Sequence, residues 1–157
     1  MKLAQALIER KSLKEKIARL RARLLANARV REGDLPIESP AVLFRQLTAA
    51  AAEVERLEVR IDRTNVKAAL PGEPGVTLAQ VVARREALVL RRAALDDLLR
   101  AASGVGPPRR GGRGPQARYR STVDVAALHE QVDAAAADVR ALDVCLQAAE
   151  WAVDLET

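Results

Sequence analysis

The stretch STVDVAALHEQVDAAAADVRALDVCLQAAEWAVDL, from Ser121 to Leu155, decides the fold. Its apolar residues recur at Val125, Leu128, Val132, Ala135, Val139, Leu142, Leu146, Ala149 and Val153. Steps of three and four put all of these side chains on one helical stripe. Neither Gly nor Pro interrupts it, and Ser121, Thr122 and Asp124 offer capping oxygens at its start. At about 1.5 Å per residue such a helix runs roughly 50 Å, and a seam that long needs partners of similar length.

The rest of the chain supplies them. Every Gly and Pro falls in one of three zones, Gly33 to Pro40, Pro71 to Gly75 and Gly104 to Pro115. The segments between read as helices. Helix one is expected from Leu3 to Val30, with Leu13, Ile17, Leu20 and Leu24 on its stripe. Lys and Arg dominate its other faces and are set at helical spacing from Glu9 and Glu15. Helix two is expected from Pro40 to Leu70, opened by a Ser39 cap and carrying Leu43, Leu47, Ala50, Val54, Leu57 and Ile61. Helix three is expected from a Thr77 cap to Ser103, with Leu78, Val81, Leu88, Leu95, Leu98 and Leu99 inward.

The expected fold is therefore all-α, with four long antiparallel helices arranged as two helical hairpins in one domain, residues 1–157. Hairpin one covers 3–70 and hairpin two 77–155, with a flexible basic loop at 104–120. No strand is expected. The two hairpins also resemble each other. Leu3-Ala4-Gln5, Arg10, Leu13, Leu20 and Leu24 fall on Leu78-Ala79-Gln80, Arg85, Leu88, Leu95 and Leu99 when slid by 75 positions. Ala49 to Ala52, Val54, Leu57 and Val59 fall on Ala134 to Ala137, Val139, Leu142 and Val144 at an offset of 85. An internal duplication with a longer second loop accounts for both offsets.

Composition narrows the function classes. Phe44, Tyr119 and Trp151 are the only aromatic residues, which suits helices packed side by side better than a compact globule. One cysteine, Cys145, excludes an intramolecular disulfide and reads as a structural thiol beside the seam. The charges after Ile8 cut the first apolar run too early for a signal peptide, and no run reaches the ~20 residues of a membrane span. A cytoplasmic protein is the expectation, with membrane partnership not expected. Leu7, Ile8, Leu25, Val59, Val89, Val144 and Trp151 lie off the stripes, so part of the apolar surface is expected between chains of a homo-oligomer.

The segment from Arg109 to Arg120 holds five arginines, Arg109, Arg110, Arg113, Arg118 and Arg120, with Tyr119 and no acid. Arginine and glycine with a stacking ring is a composition that holds phosphate backbones. The plainer reading, a solvated loop, is preferred, because one loop is a small footprint. Catalytic arrangements are not found. His129 is the sole histidine, and with Glu130 and Asp133 it would need ligands from other helices to hold a metal. Glu53, Glu86 and Glu150 lack the Glu-x-x-His spacing of di-iron bundles. Neither cofactor nor enzymatic activity is expected, and the leading function is a self-associating structural or interaction bundle. Nucleic-acid binding by the basic loop is the alternative.

Several motifs carry a family resemblance. Met1-Lys2-Leu3-Ala4, Asn27-Ala28-Arg29-Val30, Ile61-Asp62-Arg63-Thr64-Asn65, Ser121 to Leu128, and Leu142-Asp143 followed by Gln147 and Trp151 resemble the septicolysin-like family of small bacterial helical proteins. That resemblance implies a helical fold, a tendency to assemble and a membrane-active cytolysin. Asn27, Arg63, Thr64, Asn65 and Trp151 are the matching polar and aromatic positions, and the Asn and Thr residues are expected to satisfy helix-end backbone groups.

Overall fold

A computed structural model describes residues 1–104 and 120–156. Four helices dominate it: α1, Leu3–Ala26; α2, Pro40–Lys67; α3, Leu78–Ala102; and α4, Val125–Ala152. The all-α class is as read from periodicity. The starts at Leu3, Pro40 and Leu78 are as read, while α1 and α2 stop earlier than expected, at Ala26 and Lys67.

α1 stops before Val30 because Asn27 closes it. The Asn27 amide donates to the Arg23 carbonyl at 2.9 Å, and its Oδ1 accepts from the Glu38 N–H at 3.0 Å. At the start of α2, Ser39 occupies the N-cap but its side chain makes no capping bond; its carbonyl accepts from Leu43 at 3.1 Å, with Pro40 following. Asp124 caps α4, its Oδ1 accepting from Ala126 at 2.9 Å and Ala127 at 3.1 Å. Ser121 and Thr122 precede that helix.

The expectation of no strand is corrected. β1, Ala69–Leu70, and β2, Glu73–Thr77, form a small antiparallel pair. Pro71 and Gly72 turn the chain between them, Gly72 at φ 90° where a side chain would be strained. Thr77 is thus the last strand residue, directly ahead of α3. Helix two reads on to Leu70 because no breaker precedes Pro71-Gly72; the buried Leu70 belongs instead to β1.

The chain forms two compact units. The first is Met1–Ala79 with Gln147–Thr157, the second Gln80–Leu146. In the first, α1 lies along α2. Leu3, Ala6, Leu20, Leu43, Ala50, Leu57 and Ile61 are buried there. Burying each larger aliphatic of this set stabilises by about 1.5–3 kcal/mol. Leu13, Ile17, Leu24, Leu47 and Val54 are only half-buried. A helix pair covers each seam residue on one side, which leaves the other side uncovered. In the second unit, Val81, Leu128, Ala135, Val139 and Leu146 are buried, and Arg85 of α3 pairs with Asp143 of α4.

The two offsets read from sequence recur in the structure. α1 and α3 begin 75 positions apart, at Leu3 and Leu78; α2 and α4 are 85 apart at both ends. Buried positions correspond, Leu43 with Leu128, Ala50 with Ala135, Ile61 with Leu146 and Leu70 with Leu155. Backbone bonds correspond too. Leu78 N–H donates to Ala68 O and Leu3 N–H to Val153 O, each at 3.0 Å. The pairing of Ala69 with Thr77 matches the bridge between Asp154 and Lys2.

Candidate functional site

The richest polar constellation is where the last residues cross the end of α2. Ile61 and Thr64 lie one turn apart on α2 and both face inward, each 1% exposed. A threonine hydroxyl on a helix donates back to its own turn, and Thr64 Oγ1 reaches the Arg60 carbonyl at 2.8 Å. The same oxygen accepts from the Glu156 N–H at 3.0 Å. Arg60 Nε donates to the Glu156 carbonyl at 2.8 Å, and Lys67 Nζ to its carboxylate at 2.6 Å. On the other edge, Lys2 Nζ holds Asp154 at 3.1 Å, and Leu155 N–H donates to Met1 O at 2.8 Å.

Charge is matched nearby. Glu58 of α2 accepts from Lys14 at 2.7 Å and from Arg10 at 3.0 Å. The Lys14 hydrogen bond is the main reason its carboxyl titrates below the usual range; burial opposes, and Arg10 adds to the lowering. Glu9 and Glu15, expected to pair with the α1 cations, form no ion pair among the described residues; Glu58 across the hairpin takes that role. Glu150 behaves oppositely. Burial pushes its carboxyl up, with Arg10 pulling the other way. In the second unit the Arg85–Asp143 pair stands at the positions that correspond to Arg10 and Glu58.

These bonds fasten the last residues to the end of α2 and to the first residues through backbone, hydroxyl and charged groups, which is the chemistry of a clasp. Among the described residues no three His, Cys, Asp or Glu side chains are grouped to hold a metal ion. His129 is exposed on α4 and Cys145 is half-buried with a free thiol. Among the described residues no helix is long and apolar enough to cross a membrane.

Arg109, Arg110, Arg113, Arg118 and Tyr119 lie outside the described residues. Arg120 is exposed and lines an open depression of about 380 Å³ in the second unit with Leu98, Gly104 and Ser121. Asn27 is placed at the end of α1 and Arg63, Thr64 and Asn65 on the last turns of α2, with Arg63 exposed. Trp151 is 51% exposed near the end of α4. Two features escaped the sequence reading. Leu35 and Ile37, in the turn between α1 and α2, are 89% and 98% exposed. A groove of about 320 Å³ also opens between α1 and α2, with Leu20, Ala49 and Ala50 in it and Lys16 and Arg19 on its rim. The cations after Glu15, namely Lys16, Arg19, Arg21 and Arg23 with no acid among them, were the available signal for it.

Residues 10–155 match a family of unknown function, DUF6847. A crystal structure titled as a functionally unknown conserved protein from Corynebacterium diphtheriae is 31% identical, covers 99% of each chain and superposes with a TM-score of 0.86. No curated protein matches the chain. The resemblance to septicolysin-like proteins is corrected by these matches, and the cytolysin it implied goes with it. The motifs behind it are short and lie mostly at helix ends, where capping by itself favours Asn, Ser, Thr and Asp.

Proposed function

We propose that this chain, which belongs to the DUF6847 family of unknown function, is a self-associating structural or interaction protein built on helical hairpins. One observation carries the reading. Large apolar side chains stand exposed at corresponding positions of two helices, Val59 (44%) and Val66 (62%) on α2, Val144 (69%) and Trp151 (51%) on α4. Each pair is seven residues apart and so shares a helix face; on α4 the exposed Ala148 lies between the two, whereas on α2 Arg63 does. Apolar surface such as that of α4 is removed from water by a partner. The half-buried seams of both hairpins support the same reading.

The proposal assigns no catalytic role and no cofactor, places the protein in the cytoplasm, and makes a second copy of the chain its first partner. Light scattering coupled to gel filtration tests it. A mass at least twice the 17.0 kDa chain is expected, and a monomer across the working concentration range would sink the reading.

A further inference from the structure

α1 and α4 carry opposite charge. α1 holds seven Lys and Arg against two Glu, whereas α4 holds five Asp and Glu against one Arg. Three of the α1 cations are occupied, Arg10 and Lys14 by Glu58 and Arg23 by Glu38. Lys16 and Arg19 have no carboxylate partner among the described residues and rim the α1–α2 groove. Leu20 and Ala50 are buried at the floor of that groove and Ala49 is exposed in it, with Arg23, Gln46 and Glu53 completing the lining.

α4 has the surface that such a groove takes. Ala134, Ala137, Ala141, Val144, Ala148 and Trp151 recur three and four apart, and all six are exposed. Small residues let helix axes approach closely. Asp133 and Asp138 flank the first half of this stripe and are themselves exposed with no basic partner among the described residues. The corresponding stripe of α2 cannot play the part, because Arg56 and Arg63 stand where α4 has Ala141 and Ala148.

We propose that the groove between α1 and α2 receives α4 of a second copy of this chain, with Asp133 and Asp138 facing Lys16 and Arg19. This rests on the self-association proposed above and names the surfaces that mediate it. The mode is a helix laid in a groove, with apolar anchors giving contact and flanking charge giving register. A second copy's α1 is the wrong occupant, since it would bring cations to cations. A nucleic acid is disfavoured because the groove offers only a few cations over an apolar floor, a small footprint for a phosphate backbone.

A charge swap tests the assignment. One variant carries Lys16→Glu and Arg19→Glu, the other Asp133→Lys and Asp138→Lys, and circular dichroism verifies that both remain helical. Each alone should associate at least about tenfold more weakly than wild type, and an equimolar mixture should regain association, because the mixed contacts are again opposite in sign. Association unchanged in both variants, or a mixture no better than its components, overturns this inference while leaving self-association standing. A wild-type monomer overturns both readings. Loss of oligonucleotide binding in the first variant, with association intact, puts a polyanion in the groove and overturns the inference. Should either variant fail to fold, a photo-crosslinking residue at Ala49 in the otherwise wild-type chain reads the same contact. Crosslinks to α4 peptides of an isotope-labelled second copy are expected, and crosslinks elsewhere overturn it.

Discussion

Thr64 shows how much one hydroxyl can hold. It is 1% exposed, donates to Arg60 and accepts from Glu156, so an isosteric Thr64→Val change leaves the Glu156 N–H without its partner. Stranding a donor of this kind costs about 1–3 kcal/mol, and a chain of this length should lose about 2–4 °C of Tm per kcal/mol. Thermal denaturation checks the stability. Amide exchange at Glu156 and Leu155 should accelerate beyond the global loss if the tail is released. A Thr64→Val variant that melts with wild type would show the bond to be incidental.

Glu150 makes the opposite demand. Burial raises its pKa and Arg10 opposes the shift. A carboxyl raised in the folded state holds its proton more tightly when folded. Its contribution is therefore full below the unfolded value of about 4.3 and is lost as pH climbs through the folded pKa. At neutral pH the charged form works against folding. Glu150→Gln should accordingly raise Tm by about 1–2 °C near pH 7, and the gain should vanish below about pH 4. Parallel melting curves at every pH would refute the sign.

At the scale of elements, the helices and the starts of the first three were legible in the sequence, and the stops of α1 and α2 were not. Periodicity and the three Gly/Pro zones place all four rods, because a long seam without Gly or Pro has few other solutions. The stop of α1 at Ala26 depends on Asn27 reaching Glu38, a contact made only once the hairpin has closed. Nothing in the sequence between Lys67 and Pro71 stops a helix, so β1 reads there as the tail of α2. The groove rim was illegible for a similar reason. Which α1 cations stay free depends on Glu58, and Glu58 belongs to another helix. Asp124 is a case where local reading and structure meet, and it is testable at this scale. Asp124→Ala removes the acceptor for two N–H groups of α4 and should cost about 1 kcal/mol. Thermal melts, with exchange at Ala126 and Ala127, measure it. No loss of stability would mean that water caps the helix equally well.

At the scale of the whole molecule, the corresponding hairpins set the terms. Agreement in helix limits, buried positions, a backbone pairing and an ion pair is what a duplicated hairpin produces, and chance similarity between Ala/Leu helices would not extend to the hydrogen bonds Leu78–Ala68 and Leu3–Val153. The corresponding apolar positions left in water, Val59 with Val144 and Val66 with Trp151, then belong to the repeated unit itself. If a partner chain covers them in the folded state, unfolding separates the chains and stability depends on concentration. A tenfold rise in chain concentration is worth about 1.4 kcal/mol per dimer. Spread over the unfolding entropy of two chains of this length, that amounts to roughly 2 °C of Tm per decade. Calorimetry across two decades of concentration should show the rise in wild type, and Val144→Glu should flatten it by placing a charge on the α4 face. A Tm independent of concentration, with a single-chain mass by light scattering, would mean that each chain keeps this apolar surface in water.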